Sequence, residues 1–222
     1  MANLSEDISV VVPCFNAGAY LDEAIESILG QTIRPRQVIV VDDGSTDDSA
    51  ERARRHGPGV LCLRQANAGI SAARNAGIAH ATGSLIAFLD ADDLWPADSI
   101  SLRLAVLERE PEVTCVFGAT EQFGETQEPG PTRVGRLISA MLARRWIVDH
   151  VGLFDVALRV GETLDWVARL DDTGLPVRSI TDLVLRRRIH ATNTVRDRAK
   201  HVDYLRALHA SLSRRRARGM PS

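Results

Sequence analysis

The stretch Leu85-Ile86-Ala87-Phe88-Leu89-Asp90-Ala91-Asp92-Asp93 joins an apolar run to three carboxylates within four residues. The apolar part has the length and composition of a strand that is buried on both faces. Carboxylates this close repel one another and raise each other's pKa, so they need a counter-charge or bulk water. A divalent metal, an arginine and water are the three partners that the residues themselves leave open.

Apolar runs of strand length alternate with helical patterns over the first half of the chain. Each run is short and has no polar interruption, which is typical of strands buried in a parallel sheet. The predicted strands cover 8–12, 37–41, 60–63 and 85–89, and the predicted helices between them cover 20–29, 47–56 and 70–80. This alternation predicts an α/β fold, with a mostly parallel sheet flanked by helices.

The second half of the chain is less regular. Its predicted strands cover 113–117, 137–142 and 180–185, its predicted helices cover 96–109, 145–151 and 162–170, and residues 124–131 have a loop composition. The sequence contains no internal repeat and no low-complexity linker. We therefore predict one domain over residues 1–222.

The C-terminal tail is basic and amphipathic. Arginines are frequent after Arg186, and the predicted helix at 196–218 has one apolar face. The apolar side chains on this face are Val202, Leu205, Leu208 and Leu212. Such a helix either docks on a protein surface or lies on an anionic membrane. Docking or homodimerisation is the favoured interpretation, and peripheral membrane contact stays open.

Composition limits the classes of partner. The formal net charge is -2 over 222 residues, so we expect no nucleic-acid partner. No apolar run approaches the ~20 residues that a transmembrane helix needs. The cysteines Cys14, Cys62 and Cys115 are widely spaced and odd in number, which favours thiols in a reducing compartment. We expect a cytoplasmic protein without a transmembrane segment, and contact with the inner face of the membrane stays open.

Polar residues follow four of the predicted strands. The strand ends carry Pro13, then Asp42-Asp43, then residues 65–69, then residues 90–93. The carboxyl ends of parallel strands lie at one edge of the sheet, where ligands bind in α/β folds. Capping of the following helices does not by itself explain two separate acidic clusters. The sequence therefore predicts a ligand site at this edge.

The two acidic clusters suit different parts of a nucleotide. A carboxylate in Asp42-Asp43-Gly44-Ser45 would repel phosphate but can accept a hydrogen bond from a base or a ribose, and Gly44 would let the backbone approach a ligand. Asp90 and Asp92 place hard oxygen donors at alternate positions, which suits Mg²⁺ or Mn²⁺ bridging a diphosphate. We assign Asp93 to the turn that follows, with a structural role.

Several motifs taken together resemble the family 2 glycosyltransferases. In chain order they occupy residues 9–16, 41–47, 67–69, 73–77 and 89–93. The resemblance covers approximately residues 8–120 and implies the GT-A fold, a nucleotide-sugar donor, Mn²⁺ or Mg²⁺, and inversion at the anomeric carbon. A UDP-sugar is the favoured donor. The Gln-x-x-Arg-Trp signature of processive members is absent, so we expect transfer of a single sugar.

The resemblance also implies roles for individual residues. Asp43 would contact the base, Asp90 the ribose or diphosphate, and Asp92 the metal. Two roles stay open for Arg74, which either contacts a phosphate or pairs with Asp43. The full set expected to bind the nucleotide sugar is Pro13, Phe15, Asn16, Asp42, Asp43, Asn67, Gly69, Arg74, Asp90 and Ala91.

Residues 121–190 resemble the family more weakly and are expected to hold the acceptor and the catalytic base. Many members carry Glu-Asp at the start of the base-bearing helix, where this chain has Glu162-Thr163. An inverting transfer needs one carboxylate to take the acceptor's proton. Glu162 and Asp165 are the two candidates, and Glu162 is favoured because Asp165 lies one turn deeper. Beyond the last strand, His190 is expected to be a further metal ligand.

Two other functions stay open. A sugar nucleotidyltransferase would need a basic, glycine-rich loop after the first strand, and residues 13–18 contain no basic side chain. A degenerate, non-catalytic nucleotide-sugar-binding protein is the other alternative, because Thr163 occupies the position of the usual base. The sequence specifies neither the donor sugar nor the acceptor, which is a saccharide, a lipid-linked glycan, a peptide or a small molecule.

Overall fold

The computed structural model describes residues 7–124 and 129–190. Within these ranges eight strands form one sheet, and α-helices pack on both of its faces. The strands are β1 (Ile8–Cys14), β2 (Gln37–Asp42), β3 (Val60–Arg64), β4 (Leu85–Phe88), β5 (Cys115–Phe123), β6 (Arg133–Val134), β7 (Met141–Arg144) and β8 (Val177–Arg188). The helices are α1 (Leu21–Leu29), α2 (Ser49–Arg55), α3 (Ile70–His80), α4 (Ser99–Arg109), α5 (Trp146–Val151) and α6 (Glu162–Asp171).

The sheet has a parallel half and a mixed half. Its strand order is β3-β2-β1-β4-β7-β5-β6, and β8 pairs with β5. Strands β1 to β4 are parallel to one another, as predicted, and β8 is parallel to β5. Strand β7 runs antiparallel to both β4 and β5. The α/β fold with a mainly parallel sheet is confirmed, but the parallel pattern is broken at β7.

Alternate residues of β1 enter two separate cores. Val10 and Val12 belong to the core beneath α1 and α4, whereas Val11 belongs to the core beneath α3 and α6. Helix α3 approaches β1 closely, since a Cβ atom at Gly77 would lie 2.3 Å from Cγ1 of Val11. Helix α3 is therefore fixed against the strands whose carboxyl ends carry the predicted site.

Two elements of the second half differ from the predicted ones, the segment at 137–142 and strand β8. Residues 137–142 were predicted as a strand, but Ile138–Ala140 form a 3₁₀ turn that leads into β7. Strand β8 is longer than predicted because it pairs with β5 along most of its length. The apolar pattern marked only its buried part, which includes Val184 and Leu185.

Three predictions extend beyond the described residues. The loop at 124–131 is described only in part, and the predicted helix at 196–218 lies outside the described residues. The homodimer and membrane contacts assigned to that helix, and the single domain over 1–222, therefore stay predictions. Over residues 7–124 and 129–190, every helix is too short or too polar to cross a membrane.

Candidate active site

The ends of the parallel strands meet at one edge, as the sequence predicted. The amide of Asp43 donates to the carbonyl of Cys14 over 2.8 Å, and the amide of Leu89 donates to the carbonyl of Val11 over 3.0 Å. The amide of Gln65 donates to the carbonyl of Asp42 over 3.0 Å. These bonds continue the sheet past the strands and hold the predicted loops side by side.

Asp43 organises the loop at 67–69. Its Oδ1 accepts hydrogen bonds from Gln65 Nε2 at 2.8 Å and the Ala68 amide at 2.9 Å, and its Oδ2 accepts one from the Gly69 amide at 2.8 Å. Gly44 has a φ of +79°, and a Cβ atom there would lie 2.9 Å from the Asn67 nitrogen. Gly44 thus permits close contact with this neighbouring loop, which differs from the ligand contact that we expected. The contact between Asp43 and a base stays a prediction.

Asp42 faces the interior of the chain. Its side chain is fully buried, Oδ1 accepts from the Ser45 amide over 3.0 Å, and Oδ2 lies 3.2 Å from Nε of Arg64. These contacts shape the turn that follows β2. The structure therefore gives Asp42 a role in holding the turn, and the predicted ligand contact is not supported by its orientation.

The loop after β1 presents one exposed ring. Phe15 is 50% exposed, whereas Pro13 is buried within β1. Asn16 has a φ of +50° and accepts a hydrogen bond from the Thr46 amide at its Oδ1 over 2.8 Å. Asn16 therefore joins the loops that follow β1 and β2, and Phe15 is free to stack on a flat ligand. Asn67 is exposed at the same edge.

Arg74 lies between two carboxylates. Its Nη1 donates to Oε1 of Glu162 and its Nη2 donates to Oδ1 of Asp90, each over 2.8 Å. Burial opposes the charge on the guanidinium, but Asp90 and Glu162 together raise the pKa of Arg74. Pairing with Asp43, one of the two roles left open for Arg74, was wrong, because its terminal nitrogens contact Glu162 and Asp90 instead. Arg74 supplies the counter-charge of Asp90, whereas the sequence motifs favoured a metal and a diphosphate over an arginine there.

Asp92 pairs with His190, the two residues expected to bind a metal. Oδ2 of Asp92 lies 2.8 Å from Nε2 of His190, and the His190 ring stacks on Tyr20 at a centroid distance of 4.8 Å. Burial and repulsion from Asp90 raise the pKa of Asp92, and His190 partly offsets that rise. The intervening Ala91 is buried. An added cation would relieve the cost of charging Asp92.

The donor set of this pair fits Mn²⁺ or Mg²⁺ only in part. One carboxylate oxygen and one imidazole nitrogen suit Mn²⁺, but six-coordinate metals need further ligands. Within the described part of the chain, no three His, Cys, Asp or Glu side chains converge as a metal site. Oxygens of a diphosphate would have to complete the coordination.

Asp93 and Arg188 attach the acidic turn to the end of β8. The Arg188 amide donates to Oδ1 of Asp93 over 2.9 Å, and burial raises the pKa of Asp93 well above its usual range. The Arg188 guanidinium donates to the Asp92 carbonyl over 3.0 Å and to Glu23 over 2.6 Å. These contacts agree with the structural role expected for Asp93.

The two candidate bases on α6 have different surroundings. Glu162 follows Gly161, which has a φ of +82°, and its carboxylate points to Arg74. The Asp165 side chain is 4% exposed and pairs with Arg169 over 2.9 Å. Arg169 in turn donates to the carbonyls of Val151 and Leu153. Asp165 therefore holds a turn, whereas Glu162 shares its partner Arg74 with Asp90, two residues past the end of β4.

Two residues of the site were not singled out from the sequence. The Asn75 side chain binds both the carbonyl and the amide of Phe154, each over 2.9 Å. Arg159 is exposed, and its Nη1 lies 3.4 Å from the position of a Cβ atom at Gly69. Asn75 lies within the family motif at 73–77, so the sequence did contain a pattern that could have identified it as a site residue. Nothing in the sequence places Arg159 beside the loop at 67–69.

Solved structures define the class of fold. The chain resembles S. aureus TarS (residues 1–349) in complex with UDP-GlcNAc, with a TM-score of 0.77 and 16% identity over 92% of this chain and 65% of that one. The complex of the same protein with UDP gives a TM-score of 0.72. The predicted GT-A fold is confirmed.

Sequence comparison defines the family. The profile of glycosyl transferase family 2 matches residues 9–154, and the chain belongs to this family, as predicted. It is 37% identical over 153 residues to the uncharacterised glycosyltransferase YibD of Escherichia coli (strain K12), covering 66% of this chain and 44% of YibD. It is 32% identical over 195 residues to glycosyltransferase GlyG of Streptococcus pneumoniae serotype 4 (strain ATCC BAA-334 / TIGR4), covering 86% of this chain and 61% of GlyG. The chain thus spans less than two thirds of each relative.

Proposed function

We propose that this protein is a metal-dependent, inverting glycosyltransferase that moves one sugar from a nucleotide-diphospho-sugar to an acceptor nucleophile. One observation carries the proposal. Arg74 joins Glu162 to Asp90 through two contacts of 2.8 Å, so a candidate base from the second half lies beside the acidic end of β4. A group transfer needs a proton acceptor close to the leaving group, and a binding protein does not.

The donor would bind along the edge formed by the loops after β1, β2 and β3. Phe15 offers a half-exposed ring for a base, and the loop at 67–69 is held in place by Asp43. The S. aureus TarS complexes contain UDP and UDP-GlcNAc, which supports a UDP-sugar as the donor of this chain too.

Asp92 and His190 would hold the metal. A bound Mn²⁺ or Mg²⁺ would neutralise the charge that develops on the leaving diphosphate. Arg74 would hold the Asp90 carboxylate, so Asp92 and His190 would be the two protein ligands. The Tyr20 ring that stacks on His190 would orient the imidazole.

Glu162 would act as the general base. In the transfer, the acceptor oxygen forms a bond to the anomeric carbon, the bond from that carbon to the phosphate oxygen breaks, and the acceptor proton moves to the Glu162 carboxylate. Asp165 suits this role less well, because its partner Arg169 holds the carbonyls of Val151 and Leu153, whereas the partner of Glu162 also contacts Asp90. The nucleoside diphosphate leaves with the bonding electron pair.

A release assay tests this function. The protein is incubated with Mn²⁺ and a panel of nucleotide sugars, with free nucleoside diphosphate and pyrophosphate both measured. Release of UDP supports the transferase. A parallel incubation supplies a nucleoside triphosphate and a sugar 1-phosphate, and release of pyrophosphate from that pair would instead support a nucleotidyltransferase.

A non-catalytic nucleotide-sugar-binding protein is the second candidate. Thr163 stands where many family members carry the base, and its hydroxyl donates to Oε1 of Glu162 over 3.2 Å. The same oxygen already accepts from Arg74, and two donors on one oxygen disfavour uptake of a proton there. UDP-sugar binding without any release of UDP would support this candidate.

A further inference from the structure

We propose that Arg74 is a positioning residue, which sets the candidate base Glu162 relative to Asp90, and that it is not a ligand of the donor diphosphate. The inference rests on the proposed function and deepens it, because it assigns a role in the same site. It replaces the phosphate contact that the sequence left open for Arg74.

Both terminal nitrogens of Arg74 already donate hydrogen bonds to carboxylates. The side chain is 2% exposed, and its Nη1 and Nη2 each contact a carboxylate at 2.8 Å. The Phe154 ring covers the guanidinium, with Cζ 5.3 Å from the ring centroid. The guanidinium is closed off from solvent on this side, and a phosphate that replaced Asp90 or Glu162 as its partner would leave a carboxylate uncompensated.

The neighbouring residue of α3 makes a second, independent attachment. Asn75 binds both backbone groups of Phe154, and the Phe154 ring stacks on Trp166 of α6 at 5.7 Å. Asn75 therefore holds the start of the segment that leads to α6, and Arg74 holds its end at Glu162. Two consecutive residues of one helix thus fix the approach to the base.

Helix α3 is itself tied to the donor edge. The contact between Gly77 and Val11 leaves no room for a side chain, so α3 cannot shift against β1 without loss of packing. The position of Glu162 is then set by the strands that carry the donor-binding loops. A base held to within a fraction of an ångström is what a fast transfer requires.

Lysine is the informative substitution, because one ammonium group cannot reproduce the two forked contacts of a guanidinium. We expect R74K to lower kcat by about 100-fold with a much smaller change in the KM for the donor. R74A should regain part of its kcat when guanidinium ions are added at concentrations below those that unfold the protein.

Arg103 provides a control that is matched for burial. It is fully buried on α4 and donates to the Ser99 and Met141 carbonyls, not to a carboxylate. R103K should lower thermal stability but keep kcat. Equal loss of kcat in R103K and R74K would show a general effect of burying lysine, and would overturn the proposal.

Steady-state kinetics and hydrogen exchange decide the question together. A donor KM that rises as much as kcat falls, or an unchanged kcat in R74K, would overturn the positioning role. If wild-type protein releases no nucleoside diphosphate from any donor, the proposed function fails. Hydrogen exchange of the backbone amides then still tests whether the contact between Arg74 and Glu162 holds α6 in place. R74K should then accelerate exchange at residues 165–168, whose amides are the first to bond within α6, with β1 and β4 unchanged, and unchanged exchange in α6 would contradict the proposal.

Discussion

Oδ2 of Asp92 lies 2.8 Å from Nε2 of His190, although 98 positions separate the two residues in the chain. The pair joins the end of β4 to the segment that follows β8. His190, the last described residue of the chain, therefore supplies the second side chain of the candidate metal site at the acidic turn. A cation bound here would contact both halves of the domain.

Replacing Asp92 tests the metal site. We expect D92N to reduce metal-dependent turnover by about 100-fold or more, because the cation loses a charged ligand next to the leaving diphosphate. Thermal stability should be kept or slightly raised, since burial and Asp90 already disfavour the charge at this position. Donor turnover across an Mn²⁺ titration measures the first effect, and thermal unfolding measures the second.

Asp98 offers the matched control for that experiment. It precedes α4 and makes no side-chain cap bond, so D98N should leave the response to Mn²⁺ unchanged. Wild-type Mn²⁺ dependence in D92N would remove the metal assignment.

The two carboxylates of α6 should behave differently when neutralised. E162Q should lower kcat by about 10²- to 10⁴-fold while donor binding persists, because the amide cannot accept the acceptor's proton. D165N should instead lower the free energy of unfolding by about 1–3 kcal/mol, because Arg169 loses a buried charged partner. Kinetics and urea unfolding of both variants make the comparison, and the reverse pattern would identify Asp165 as the base.

The parts of this site that local pattern encodes were predicted from the sequence. The strands that lead to Asp90 and to Asp42-Asp43 can be recognised in the sequence, because each apolar run and its polar end are contiguous. The direction of β7 is different. The apolar residues 141–143 suit a parallel and an antiparallel strand equally, and only pairing with β4 selects the antiparallel one. The partner of Arg74 was equally hidden, because Glu162 lies 88 positions away.

Gly44 should be intolerant of a side chain. G44A should cost about 1–3 kcal/mol of stability for the left-handed backbone, and the added Cβ atom would push against the Asn67 nitrogen. Because that contact shapes the loop at 67–69, affinity for UDP should fall as well. Urea unfolding and calorimetric titration with UDP measure the two losses.

Gly59 supplies the control for the same substitution. A Cβ atom there meets nothing within 4 Å, so G59A should retain wild-type affinity for UDP. Wild-type UDP affinity in G44A would show that this loop does not contribute to donor binding.

The three cysteines should differ in reactivity. Burial raises the pKa of Cys14 to about 12 and raises that of the fully buried Cys115 as well, so both thiols stay protonated at neutral pH. Cys62 is only partly buried and should react first with a thiol reagent at pH 8. Mass mapping of the labelled sites checks the order, and early labelling of Cys14 or Cys115 in the folded protein would contradict the packing around β1 and β5.

The central claim is that Glu162, held by Arg74 beside Asp90, makes this chain a transferase. It is tested most directly by measuring UDP release from UDP-sugars with Mn²⁺, in wild-type protein and in E162Q, with UDP binding measured in both. We predict metal-dependent release by the wild type, little or none by E162Q, and similar binding. Equal release by the two proteins, or binding without release by the wild type, would contradict the claim.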